Sequence, residues 1–212
     1  QLGVFLVLGL GLIQRLLGIV QSGLGIAQQG VSHLFQVDQQ LDLLKLILKF
    51  QHLLFAAHQR SGHPGSKGGV ILRMKFNVHA GHNPDGKIAC GACGLIKEST
   101  EARKVKNEVI RLLRKNGHKV YDCTCANGKS QTDVLKQIVT KCNKHKVDLD
   151  ISIHFNSGAA DQKGNGKTTG TEVYVYSTKS AAYPVAERID KAIAVLGFRD
   201  RGVKVRTNLY VL

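Results

Sequence analysis

The chain of 212 residues contains no tryptophan, one methionine and three prolines, and its first third lacks several residue types altogether. Positions 1–73 contain no Glu, Asn, Thr, Tyr, Cys or Met, whereas positions 74–212 hold all five cysteines, all five tyrosines and the single methionine, Met74. So abrupt a change of composition predicts a domain boundary, and it falls next to the Gly- and Ser-rich stretch 60–69, which is typical of a linker. We therefore predict a hydrophobic, low-complexity segment over 1–73 and a domain over 74–212.

A long uninterrupted apolar run is also missing from the first segment. The run that begins at Leu2 is interrupted by Gln14 and Arg15 before it reaches the ~20 residues that a membrane-spanning helix needs. No basic residue precedes it and no good cleavage site follows it, so a secretory signal peptide is not indicated, and a membrane partner is not expected. We predict that 1–73 is helical or disordered, because leucines recur at helical spacing between Leu41 and Leu54.

Two interpretations of positions 1–73 stay open. The one we favour is that they are a non-native translation of DNA upstream of Met74, since Met74 is the first methionine and begins a domain of ordinary composition. The competing interpretation is a genuine hydrophobic anchor. Detection of a peptide from 1–60 in the native protein would exclude the first.

Acidic residues are scarce over the whole chain. Positions 74–212 carry twenty-four Lys and Arg against thirteen Asp and Glu, and 1–73 carry six against two. Such a basic domain is attracted to polyanions, which include nucleic acids, anionic membranes and the anionic polymers of a cell wall, and the charge alone does not choose among them.

The number of cysteines excludes a fully paired disulfide framework, because five is odd. Reduced thiols in a protein held in the cytoplasm are the simplest interpretation. Cys90 and Cys93 have the spacing of a zinc knuckle, but no second pair with matching spacing follows, so a structural zinc or a redox pair is kept as the alternative.

Hydrophobic periodicity predicts strands that alternate with helices over 74–212. The predicted strands are 75–79, 118–123, 147–154 and 170–176, and the predicted helices are 98–116, 130–143 and 183–196. This alternation predicts an α/β fold, a three-layer α/β/α sandwich with a mostly parallel central sheet. In such sheets the ligand site lies beyond the carboxyl ends of the strands.

Three residues at those ends are candidate metal ligands. His82 follows the first predicted strand, His154 ends the third, and Glu98 begins the first predicted helix. A catalytic zinc binds three protein ligands, often two His and a carboxylate, and keeps a fourth position for water. From spacing alone, however, a packed or surface role for each of the three is the default.

Five blocks in a fixed order make the assignment more specific. They are Phe76–His82, Gly91–Glu98, Asp150–Asn156, Gly170–Tyr176, and Arg201–Lys204 with Leu209–Leu212. In these blocks, which cover essentially all of 74–212, the sequence resembles the zinc-dependent N-acetylmuramoyl-L-alanine amidases of the type 3 family, especially the compact phage endolysins.

The resemblance implies a metal site and a reaction. His82, Glu98 and His154 would bind Zn²⁺, and the enzyme would hydrolyse the amide between N-acetylmuramic acid and the L-alanine of the peptidoglycan stem peptide. The family's general base is a Glu on a later strand, beyond the block that ends at Leu212. We therefore expect an incomplete domain that lacks the last strand and helix of the family, leaves the catalytic base unassigned, and is weakly active or inactive.

Four further residues within these blocks have expected roles near the candidate site or in the fold. Asn156 lies two positions beyond His154 and so on the same side of an extended strand, which makes it a candidate for substrate binding. Asp150 and Glu172 are expected to have structural roles, or in the case of Glu172 to support a ligand, and neither is promoted to base. His79 stands where many members of the family carry Asp, so a residue that would support the metal ligands is altered here. His82 is preferred over His79 as the ligand because it holds the motif position.

Three functions follow, in order of preference. The first is a zinc hydrolase that lyses cell walls, with peptidoglycan as its partner, cytoplasmic until it is released to the wall as phage lysins are. The second is a zinc-containing fragment that binds peptidoglycan without cleaving it. The third is a basic nucleic-acid-binding protein. It ranks last because no RNP-like motif is present and the basic residues are scattered over helix faces, so a specific nucleic-acid partner is not expected.

Overall fold

The computed structural model describes residues 73–94, 96–156 and 169–212, together with the backbone of 3–10. The strands are β1 Gly3–Leu10, β2 Lys75–Ala80, β3 Lys119–Asp122, β4 Leu149–Asn156, β5 Thr169–Val175 and β6 Asp200–Val205. The helices are α1 Glu98–Lys115, α2 Gln131–Cys142 and α3 Tyr183–Ala194. No helix in these described parts is long and apolar enough to cross a membrane.

The six strands form one sheet in the order β3-β2-β4-β1-β5-β6. Every neighbouring pair is parallel except β1 and β5. The predicted α/β class with a mostly parallel sheet and flanking helices is therefore confirmed. β6 was not predicted as a strand, because its charged residues interrupt the apolar alternation.

Alternating residues of the strands send apolar side chains to one face and polar ones to the other. Phe76 and Val78 of β2 are fully buried in the main core, which α1 and α3 cover. Asn77, which lies between them, donates instead to the carbonyl of Cys142 at the end of α2. The sheet is thus packed between helices on both faces.

Local chemistry favours the observed ends of α1 and the observed start of α2. In α1, Glu98 lies in the first turn and Arg114 in the last, an order that suits the helix dipole. Gly117 then adopts a φ of +82°, which stops the helix. In α2, the Ser130 side chain accepts a hydrogen bond from the Asp133 backbone N–H and so caps the start of the helix.

The expectation that positions 1–73 are helical or disordered is wrong for residues 3–10. They form β1, which pairs in parallel with β4 from Gly3–Asp150 to Gly9–Asn156 and antiparallel with β5. A short apolar run is compatible with either a helix or a strand, and here the tertiary pairing decides. The predicted helix within 41–54 and the linker at 60–69 lie outside the described residues.

Candidate metal centre

The three predicted ligands meet at one edge of the sheet. β2 and β4 are adjacent and parallel, so their carboxyl ends lie side by side and bring His82 and His154 close together. Glu98 is the first residue of α1, which packs against both strands. The three side chains offer nitrogen and oxygen atoms that all lie within 4.8 Å of one another.

Glu98 is the centre of this group. Its Oε1 lies 2.9 Å from His154 Nδ1 and 3.3 Å from His82 Nε2. The backbone N–H of Phe155 donates to the same oxygen at 3.2 Å, and the N–H of Ala92 donates to Oε2 at 2.8 Å. The carboxylate is therefore held in one orientation by the backbone of two different segments.

The electrostatics keep Glu98 and His154 in the protonation states that bind a metal. Burial acts to raise the pKa of Glu98, which is 5% exposed, but hydrogen bonds from His154 and His82 outweigh it and hold that pKa far below its usual value. Burial lowers the pKa of His154, although Glu98 opposes that shift. At neutral pH the carboxylate is ionised and the His154 imidazole is neutral.

Two glycines make room for the three side chains. A Cβ on Gly81 would lie 1.9 Å from Cε1 of His154. Gly91 has a φ of +84°, and a Cβ there would lie 2.6 Å from Glu98 Oε2 and 2.7 Å from His82 Cδ2. Side chains at these positions would occupy the space that the imidazoles and the carboxylate now fill.

His82 itself adopts a φ of +65°, which is unfavourable for a residue with a side chain. Arg103 of α1 holds it there: its guanidinium donates to the carbonyl oxygen of His82 at 2.8 Å and to that of Cys125 at 2.7 Å. Arg103 was not singled out from the sequence, because nothing local distinguishes it from the other basic residues on the outer face of α1.

The chemistry of the cluster fits a bound metal ion. Among the residues that the structure describes, none is a hydrogen-bond partner of the buried His82 Nδ1, and such an orphaned atom is costly unless a further group occupies the site. The side chains of His82 and His154 are 17% and 13% exposed, so the group is open to solvent on one side. Two imidazoles and one carboxylate with an open side are the ligand set of a catalytic metal site.

The structure keeps His79 apart from this ligand group. It is 2% exposed, and its Nδ1 lies 3.4 Å from Ser152 Oγ. Burial, together with the nearby His154, lowers the pKa of His79 to about 3, so its ring is neutral. The cluster of atoms at ligand distance contains His82 and not His79.

Glu172 has its charge satisfied within the fold. Tyr174 donates to its Oε1 at 2.7 Å, and Arg201 and Lys204 both pair with its Oε2. Glu172 is 2% exposed, and these contacts outweigh burial and lower its pKa. The contacts agree with the structural role expected for this residue.

Asp150 and Asn156 lie at opposite ends of β4. Asp150 is buried and accepts from Asn77 Nδ2 at 2.6 Å, away from the metal ligands, as expected. Asn156 is exposed at the end of β4, two positions beyond His154. Its role in substrate binding stays a prediction.

An α/β sheet that gathers two imidazoles and a carboxylate at the carboxyl ends of its strands defines a candidate metal centre of the hydrolase kind. Residues 77–212 match the family model described as N-acetylmuramoyl-L-alanine amidase. The chain therefore belongs to this amidase family, whose members are typically metalloenzymes.

Three relatives accompany the family match. An uncharacterized 38.4 kDa protein of Clostridium perfringens is 38% identical over 139 residues, which are 66% of this chain and 39% of the relative. A second uncharacterized protein, from C. perfringens strain 13, is 37% identical over 140 residues, 66% of this chain and 40% of the relative. A protein of Bacillus anthracis described as an uncharacterized cell wall amidase is 42% identical over 94 residues, 40% of this chain and 16% of the relative. The chain thus spans about two fifths of the length of the clostridial relatives.

Proposed function

We propose that the protein is a zinc-dependent peptidoglycan hydrolase that cleaves the amide between N-acetylmuramic acid and L-alanine. The observation that carries the proposal is the meeting of His82, Glu98 and His154 within 4.8 Å in a chain that belongs to the amidase family. The description of the B. anthracis relative as a cell wall amidase supports the choice of substrate. On this proposal the chain acts at the cell wall after release from a cytoplasm, as phage lysins do, and its positive charge draws it to anionic wall polymers.

The ligand set favours zinc among the common divalent metals. Imidazole nitrogens suit zinc, whereas magnesium and calcium prefer oxygen ligands throughout. When bound, zinc supplies a Lewis acid for the scissile carbonyl and brings the pKa of a bound water down to about 7. His82 and His154 would bind it through neutral ring nitrogens.

Glu98 would complete the set without a change of orientation. The N–H groups of Ala92 and Phe155 already hold its carboxylate in place. Because these donors belong to the backbone, the carboxylate is already oriented as it would be when holding a metal ion.

A peptidoglycan-binding role without cleavage is the second candidate function. It is favoured by the state of Glu172, since this carboxylate is already paired with Arg201, Lys204 and Tyr174 and is a poor proton acceptor. Among the described residues, no other carboxylate is placed within the ligand cluster. The proposal therefore leaves the general base unassigned.

Metal analysis and an amide-cleavage assay on the full chain separate these functions. The experiment compares the unsubstituted chain with two site variants, His82→Ala and His154→Ala. The control variant is His145→Ala, which removes an imidazole that stacks on Tyr121 away from the site. We expect His82→Ala and His154→Ala each to lose one zinc per chain relative to the unsubstituted protein, and His145→Ala to lose none. Unchanged zinc in both site variants would discard the metal centre.

Cleavage is measured as new amino groups released from purified peptidoglycan. Release that depends on His82 and His154 supports the hydrolase. Zinc bound at this site and retention on peptidoglycan, with no new amino groups, would support the binding function instead.

A further inference from the structure

A second group of metal-ligating side chains lies in the loop between β2 and α1. Asp85, Cys90 and Cys93 offer one oxygen and two sulfur atoms that all lie within 4.8 Å of one another. Cys93 is exposed and Cys90 is partly exposed, and both are free thiols. The sequence had shown the spacing of the two cysteines, but it gave no reason to add Asp85 to them.

The backbone of this loop holds the three side chains together. The N–H of Asn83 donates to the Ala89 carbonyl at 3.0 Å, and that of Lys87 donates to the Pro84 carbonyl at 3.2 Å, which closes a tight turn around Asp85. The Asn83 side chain adds a bond to the Ile88 carbonyl at 2.8 Å. Cys90 follows this turn directly, so its distance from Asp85 is set by hydrogen bonds.

The far side of the loop is held as well. Cys93 forms a β-bridge with Lys97, and the N–H of Gly94 donates to the Ile96 carbonyl at 3.0 Å. A metal that binds here would therefore meet ligands whose backbone is already ordered, and little conformational entropy would be lost.

The donor atoms select the kind of ion. Two thiolates and a carboxylate are suited to a borderline-soft divalent cation such as zinc, and side chains at these separations can occupy three corners of a tetrahedron. The two thiolates and the carboxylate would carry three negative charges, against two on the ion and one on Lys97, whose Nζ lies 2.6 Å from Asp85 Oδ2. Lys97 offsets the one negative charge that the ion leaves, but it also pairs with Asp85 Oδ2 and so competes with the ion for that oxygen.

The remaining cysteines provide a contrast. Cys123, Cys125 and Cys142 are buried in the apolar cluster under α2. Cys123 Sγ lies 3.5 Å from Asn77 Oδ1, and Cys125 Sγ lies 3.3 Å from Gln137 Oε1. Cys123 and Cys142 contact each other, and Cys142 contacts Asp150, but among the described residues these do not form a group of three ligand atoms all within 4.8 Å of one another, as Asp85, Cys90 and Cys93 do.

We infer that Asp85, Cys90 and Cys93 bind a second zinc ion, separate from the one at His82, Glu98 and His154, with water as the fourth ligand. Binding releases the two thiol protons to solvent. The two cysteines flank Gly91 and Ala92, and Ala92 both donates to Glu98 Oε2 and accepts from the Glu98 N–H at 2.9 Å. The second ion thus secures the segment that orients Glu98.

The test counts zinc in the full chain under a phosphine reductant, which prevents a disulfide between the two thiols. After chelation and reloading with Zn²⁺, we expect two zinc ions per chain. Cys90→Ser/Cys93→Ser should retain one, His82→Ala/His154→Ala should retain the other, and the combined variant should retain none. Because the two arms remove different ions, failure of one proposal is distinguishable from failure of the other.

Two readouts identify the sulfur ligands directly. Zinc should slow the reaction of two of the five thiols with a thiol reagent, while the three buried thiols serve as an internal reference. Cobalt in place of zinc should give a sulfur-to-metal charge-transfer band that is lost in Cys90→Ser/Cys93→Ser and kept in His82→Ala/His154→Ala.

The inference is overturned if the reduced chain binds a single zinc that depends on His82 and His154, if Cys90 and Cys93 react equally fast with and without zinc, or if cobalt gives no sulfur band. Asp85→Asn supplies a milder variant that leaves both thiols in place. It should weaken zinc retention at this loop by about 10-fold and leave the His82 site loaded.

Discussion

The two candidate ligand clusters of this protein are built in opposite ways. His82 lies in the loop after β2, Glu98 begins α1 and His154 belongs to β4, and Glu98 among them is buried. Asp85, Cys90 and Cys93 come from one loop of nine positions, and Cys93 is exposed. The first cluster therefore depends on the whole sheet being formed, whereas the second depends on the hydrogen bonds of a single loop.

The largest effect is expected from Gly81→Ala, which should empty the first cluster and leave the second loaded. The new Cβ would lie 1.9 Å from Cε1 of His154, so the imidazole must leave its position. We expect loss of the zinc bound at His82 and amide cleavage below detection, measured by metal analysis and amino-group release.

Gly86→Ala is the matched control in the same loop. Its φ of +79° adds backbone strain, but a Cβ there meets no atom within 4 Å. If Gly86→Ala lost the His82 zinc as completely as Gly81→Ala does, steric exclusion of His154 would not be the cause.

A smaller effect on zinc binding is expected when His82 is kept but loses the hydrogen bond that holds its backbone. Arg103→Ala removes the guanidinium that binds the His82 carbonyl, so zinc at the first cluster should be held about 10- to 100-fold less tightly. Competition with a chelator measures this. Arg103→Lys should fall between, because an ammonium cannot reach several carbonyls at once.

Lys104→Ala provides the comparison for Arg103. Lys104 lies next to it on α1, and its exposed ammonium pairs with Glu101. Equal zinc affinity in Arg103→Ala and Lys104→Ala would show that the contact with the His82 carbonyl does not position the ligand.

A pH effect of about 2 kcal/mol is expected from His79, beside the first cluster. The pKa of His79 is about 3 in the folded chain and 6.5 for an unperturbed imidazole, so the unfolded chain binds the proton first as pH falls. Its contribution to stability is complete above pH 6.5 and is progressively lost down to about pH 3. Metal-free protein should therefore lose about 2 kcal/mol of unfolding free energy through this residue between pH 7.5 and 5.

His79→Gln keeps a polar side chain but removes the titration. Urea unfolding of both proteins at pH 7.5, 6 and 5, with a chelator present, measures the difference. Parallel pH profiles for the two proteins would contradict the assignment of a buried neutral His79.

The smallest effect is expected at the exposed second cluster. Lys97→Ala frees Asp85 from its ion pair, and since exposed ion pairs contribute little to stability, overall stability should hardly change. Zinc affinity at Cys90 and Cys93 should rise about two- to threefold, as measured by chelator competition, with the His82 site unchanged. A fall in that affinity would mean that Lys97 supports the ion instead of competing with it.

Much of the fold was predicted where local pattern and tertiary structure agree. The apolar side chains of Ala102, Val105 and Val109, which recur at helical spacing, are buried in α1. The helix α2 begins after Ser130, whose side chain caps it. The prediction failed at β1 and omitted β6, because strand identity there depends on partners such as Asp150 and Tyr174, more than a hundred residues along the chain from β1. No local periodicity carries that information.

The family and the candidate ligand residues at the strand and helix ends could be inferred from motifs and short-range periodicity. The folded chain was needed to show that β2 and β4 are neighbours, that Arg103 donates to the His82 carbonyl, and that Asp85 lies beside Cys90 and Cys93. Such contacts depend on which distant segments of the chain pack together. A residue's own neighbours in sequence do not specify which distant backbone its side chain will meet.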